Sequence, residues 1–143
     1  MQIEEAKAIS ARIASGEDAT ELALMVNDVA AYCHANSLAA GWWHNKDGSP
    51  KEINADVIGC KIALMHSELS EALEGMRKNL NDDHLPEFPM VAVEFADAII
   101  RIMDTACALN LPLGDALAKK LQYNTARADH KPENRFKEGG KSV

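Results

Sequence analysis

Between residues 55 and 78, Ile58, Ile62, Met65, Leu69, Leu73 and Met76 recur every three or four positions. An extended strand scatters such side chains over both faces, whereas a helix with 3.6 residues per turn gathers them on one. The segment after residue 89 repeats the pattern with Phe95, Ala98, Ile99, Ile102, Ala106 and Leu109. Each helix so defined holds roughly 21–25 residues, or about 30–37 Å at 1.5 Å per residue. Val, Ile and Thr form no alternating runs elsewhere, so nothing in the chain asks for a sheet. The expected fold is all-α, with four main helices in a bundle-like domain and a short N-terminal helix before them.

The breakers divide the rest. Gly16 stops a short helix over residues 1–15, and Asp18 or Thr20 caps the next, which runs to about 39. Asn54 is an N-cap for the helix ending near 78, while Pro89 and Pro112 suit the first turns of helices ending near 109 and 128. The stretches AGWWHNKDGSPKEI and NLNDDHLPEFP read as loops. Residues 1–131 are expected to form a single domain and 132–143 a polar, partly mobile tail.

The chain of 143 residues carries a net charge of −7 without a Lys/Arg cluster. This argues against a nucleic-acid polymer as partner. No apolar run approaches the roughly 20 residues that span a bilayer, so no membrane partner is expected. Cys33, Cys60 and Cys107 are odd in number and widely spaced, which reads as buried free thiols in a reducing compartment. With an N-terminus, MQIEEAKAIS, that lacks a secretory pattern, the expected location is cytoplasmic. The P-loop and the Gly-x-Ser-x-Gly elbow are missing, and NKDGSP lacks the acidic series of an EF-hand.

Acidic residues sit beside both apolar stripes. Taking the 55–78 stripe as reference, Glu68 lies roughly 120° round the helix, Glu71 roughly opposite the stripe and Glu74 on the other flank. Leu64 points between Glu68 and Glu71, which implies that another helix or subunit covers that side. The next helix carries Glu94 and Asp97, with Arg101 alongside and Asp104 a turn beyond. Acids three residues apart occupy neighbouring turns of one face. Two readings stand on spacing alone. Both pairs are solvated surface, with Arg101 and Asp104 in ordinary ion pairs, or the pairs converge and a hard divalent cation relieves their repulsion. All-oxygen ligands favour Mg²⁺, with Mn²⁺ as a substitute. A di-iron carboxylate site would ask for Glu-x-x-His pairs, and none is suitably placed.

ELSE followed by EFAD makes a Glu-x-x-Glu … Glu-x-x-Asp pattern with 22 residues between the pairs. Together with KIALMHSELSEALEGMRK, LPEFPMVAVEFADAIIRIMD and KKLQYNTARADHK, it resembles the MazG-like all-α nucleoside triphosphate pyrophosphohydrolases over roughly residues 40–131. The resemblance implies hydrolysis of a nucleoside or deoxynucleoside triphosphate at the α–β bond, giving a monophosphate and pyrophosphate. It assigns Mg²⁺ binding to Glu68, Glu71, Glu94 and Asp97, and a homodimer or homotetramer whose helices complete each other's sites. Glu71 is the candidate general base.

Phosphate oxygens not reached by a metal need donors. Lys61 lies two turns before Glu68 on the acidic side, placed either for the phosphates or for an acid. With the resemblance, Lys120 and Asn124 become substrate contacts, followed by Arg127 and Lys131. Trp42 and Trp43 are both candidates for the substrate: one of such an adjacent pair often plugs the core while the exposed one suits stacking on a nucleobase, and core or subunit packing is the competing reading. The five histidines, His34, His44, His66, His84 and His130, share no metal spacing and read as structural or surface residues. A catalytically silent nucleotide or metal sensor, or a helical interaction module, is the alternative from a different class.

Overall fold

Helix boundaries follow the breakers. The computed structural model describes residues 1–128 and Asn134. Its helices are α1 (Ile3–Ser15), α2 (Ala19–Ala39), α3 (Ala55–Lys78), α4 (Met90–Ala108) and α5 (Leu113–Ala126), with no strand among the described residues. The all-α expectation holds, short N-terminal helix included. Gly16 ends α1 at φ 75°, a left-handed conformation that glycine adopts without a Cβ penalty. Asn54 caps α3, its side chain accepting from the Val57 N–H at 3.0 Å. Pro89 and Pro112 immediately precede α4 and α5. Lys131, His130 and nearly all of the expected tail lie outside the described residues. No described helix is long and apolar enough to cross a membrane.

The chain divides into two compact units. One comprises Met1–Asn27 and the chain from Pro112 onward. Here α5 begins tightly against α2: a Cβ on Gly114 would lie 2.2 Å from the Ala23 carbonyl oxygen. Asn27 Oδ1 accepts from the Gly114 N–H at 3.1 Å, meeting one of the helix start's unpaired donors. Gln122 Nε2 donates to the Ala14 carbonyl at 3.1 Å and so joins α5 to α1.

The other unit, Asp28–Leu111, is built on an antiparallel hairpin of α3 and α4. Its turn is fixed by polar side chains. Asn79 takes a left-handed φ of 53°, Asn81 Nδ2 donates to the Pro86 carbonyl, and Asp82 accepts from the His84 and Leu85 N–H groups. The Met90 N–H returns to the Leu80 carbonyl at 3.0 Å and closes the turn. Gly75 then lies against Met90, where a Cβ would come within 2.9 Å of the Met90 side chain.

The packed face of α3 differs from the expected one. The residues buried on α3 are Glu68, Ala72 and Gly75; on α4 they are Glu94, Ala98, Asp104, Thr105 and Ala106. Small residues let the helices approach closely. The large apolar stripe stays uncovered in the single chain, with Leu73 52%, Met76 62% and Phe95 51% exposed. Periodicity identified an apolar face correctly, but it carries no information on what covers that face. On the acidic side of α3 Glu68 is buried, whereas Leu64, 38% exposed, and Glu71 stay open, so the cover expected over Leu64 is not present in the single chain. The three cysteines are free, but Cys60 is exposed and Cys33 and Cys107 are half-buried, so they are less enclosed than expected.

Candidate metal centre

Antiparallel pairing carries Glu68 of α3 to the level of Asp97 and Arg101 of α4. Oxygen atoms of Glu68, Glu94 and Asp97 all lie within 4.8 Å of one another. Glu68 is 6% exposed and Glu94 7%, whereas Asp97 opens to solvent. Arg101 Nε donates to Glu68 Oε1 at 2.6 Å, an ion pair across the two helices.

This geometry is electrostatically expensive. Burial pushes the Glu94 carboxyl up to about 7, helped by a hydrogen bond with Glu68 and by the charges of Glu71, Glu68 and Asp97. Asp97 is also raised, first by burial and then by the Glu68 charge, with Arg101 pulling the other way and Asp82 adding to the rise. Two buried acids and a third at the mouth form a set of hard oxygen donors around a deficit of positive charge. That donor set fits a divalent cation such as Mg²⁺, which takes carboxylate oxygens and keeps its remaining positions for water or phosphate.

Glu71 stands apart from the three. It is exposed, one turn along from Glu68, yet near enough for its charge to raise Glu94. Glu74 is half-buried and ion-paired with Lys78 on the same helix. Sequence spacing gave no sign of Asp82, a loop acid whose charge reaches Asp97. Loop residues lack the periodicity that places helical ones.

The remaining candidates fall into separate settings. Lys61 and Trp43 belong to a network around Asp104, which is 4% exposed. Asp104 Oδ1 accepts from Trp43 Nε1 at 2.7 Å and lies 2.8 Å from His34 Nδ1; Oδ2 accepts from Ser37 Oγ at 2.9 Å and Lys61 Nζ at 3.3 Å. Burial alone would raise the Asp104 carboxyl, but the bonds from His34, Trp43 and Ser37 and the Lys61 charge hold it below the usual carboxylate range. Lys61 Nζ also sits 4.0 Å from the centre of the Trp43 ring. Trp43 is thus the enclosed tryptophan and Trp42, 66% exposed, the outer one. On α5, Lys120 Nζ lies 4.8 Å from the Tyr123 ring centre, and Asn124 Oδ1 is buried without a hydrogen-bond partner. Arg127 follows directly after α5 as its C-cap.

No known protein family, curated protein or solved structure gives a significant match to the chain.

Proposed function

We propose that the protein is a Mg²⁺-dependent nucleoside triphosphate pyrophosphohydrolase, cleaving a ribo- or deoxyribonucleotide between its α and β phosphates. The observation that carries this reading is the convergence of Glu68, Glu94 and Asp97 within 4.8 Å. Those are three of the four acids through which the sequence resembles the MazG-like enzymes. The hairpin also has close apolar packing of its own, with Gly75 against Met90 and with Ala72 and Ala98 buried. Burying like charges without a cation costs stability.

A divalent ion bound there supplies positive charge that neutralises the triphosphate and polarises its phosphorus. Glu68, Glu94 and Asp97 are the residues that would hold it. Glu71, exposed beside them, either completes the ligand set or takes the proton of the attacking water, and its separation from the other three favours the second role. In that step the water oxygen bonds to the α-phosphorus and its proton passes to the Glu71 carboxylate. The bond from phosphorus to the α–β bridging oxygen breaks, and pyrophosphate leaves. The resemblance alone assigns Lys120, Asn124, Arg127 and Lys131 to the substrate, and the outward Trp42 ring suits stacking on its base. Lys61 and Trp43 are committed to Asp104 and are not assigned to the substrate.

The half-exposed apolar faces of α3 and α4 favour a homodimer or homotetramer in which a second copy covers them. Sedimentation of a stable monomer at micromolar concentration would remove that part of the reading.

A panel of NTPs and dNTPs with Mg²⁺, scored for pyrophosphate against orthophosphate, tests the activity. Pyrophosphate release is expected, falling about 10²–10³-fold or more in Glu68→Gln and Asp97→Asn, with helicity by circular dichroism unchanged. Orthophosphate as the product would sink α–β cleavage. Binding without product from any nucleotide would favour the sensor.

A further inference from the structure

Arg101 is joined to the acid cluster at one point only. Its Nε donates to Glu68 Oε1 at 2.6 Å, and its other donors make no further hydrogen bond among the described residues. The two ends of the pair differ in setting: the Glu68 side chain is 8% exposed and that of Arg101 40%. Arg101 follows Asp97 by four residues and Glu94 by seven, so all three share one face of α4. A guanidinium carries five N–H donors in a planar fork. Four of them are unused here, at the open side of a cluster short of positive charge.

We propose that Arg101 is an exchangeable counter-ion, held by Glu68 while no metal is bound and passed to a phosphate group when a divalent cation takes its place. The inference rests on the metal-centre reading above. A divalent ion among the three carboxylates repels a guanidinium bonded to one of them. The long, partly exposed side chain can swing outward without unpacking the hairpin. Released from Glu68, its fork matches the oxygens of a phosphate better than a lysine ammonium does. The bare centre is thereby made a weak metal site, and cation and phosphate bind with mutual support.

The test uses two ligands on which Arg101 acts with opposite sign. Mn²⁺ binding in the absence of nucleotide is measured by electron paramagnetic resonance for the wild type, Arg101→Met and Arg101→Lys. Pyrophosphate binding to the Mn²⁺-saturated proteins is then measured by calorimetry. Arg101→Met is expected to tighten Mn²⁺ about tenfold and to weaken pyrophosphate about tenfold, the scale of one partly exposed charge-assisted bond. Arg101→Lys, which keeps the charge and guards against a folding defect, returns both affinities toward the wild type. Mn²⁺ affinity unchanged or weakened in Arg101→Met overturns the proposal, as does unchanged pyrophosphate affinity. If no variant and no wild-type protein binds Mn²⁺, the metal centre itself is removed, which separates that failure from a failure of the exchange.

Discussion

Asp104 and Glu94 are both buried carboxylates on α4, a little under three turns apart, and the fold treats them in opposite ways. Asp104 meets Trp43, His34, Ser37 and Lys61, which fill both its oxygens and hold it ionised. Glu94 meets Glu68, Glu71 and Asp97, and is pushed toward its neutral form. The first arrangement is complete within the chain. The second lacks a positive charge that the chain supplies only in part, through Arg101 at Glu68. A buried acid with a full set of donors is satisfied within the chain, whereas a group of acids without one is left short of a counter-charge.

The largest effect is expected at Asp104. Asp104→Asn should destabilise the protein by about 3–5 kcal/mol in urea denaturation, because Lys61 loses its counter-charge and a donor replaces an acceptor. A loss below about 1 kcal/mol would mean that the network is ornamental. Glu94→Gln should act in the opposite direction. Free of metal at pH 8, it is expected to be more stable than the wild type by about 1–3 kcal/mol, the lower end allowing for solvent screening through exposed Asp97.

The pH dependence sharpens the contrast. Glu94 titrates near 4.5 when unfolded and about 7 when folded, so between those values the folded state binds the extra proton. Its contribution is fully present below 4.5 and is lost as pH rises through 7. The gap between Glu94→Gln and wild type should therefore shrink to nothing by pH 4.5 in thermal unfolding without metal, and Mg²⁺ should close most of it at pH 8. Asp104 has the opposite sign: its stabilisation is present above the unfolded carboxylate range and disappears as pH falls through its lowered folded value. A gap independent of pH would show that Glu94 is not the group under strain.

Much of the hairpin was legible in the sequence because local chemistry decides it. Gly16, Asn54, Pro89 and Pro112 placed the helix ends through capping and backbone preference alone. The i,i+3 acid pairs placed their side chains on neighbouring turns before any partner helix was known. What escaped was the choice of packed face. Leu69, Leu73 and Met76 dominate any measure of hydrophobicity, yet α3 meets α4 through Ala72 and Gly75, where lack of bulk is what matters. An ion pair at Asp104 was legible and Lys61 supplies it, but the rest of its network escaped for a different reason. Its partners His34, Ser37 and Trp43 stand 61 to 70 positions away along the chain, and no local rule relates them.

Those separations also set an order of assembly. The Glu68–Arg101 contact closes a stretch of 33 positions within one helical hairpin, about half the span that Asp104 must close to reach His34. Shorter closures form sooner and at lower entropic cost. The repelling acids are thus driven together before the donor network that braces the same helix is in place. A nascent chain would meet its electrostatic burden early, when Arg101 is the cation nearest to hand, and a dissolved divalent ion would then act on folding as well as on the finished site.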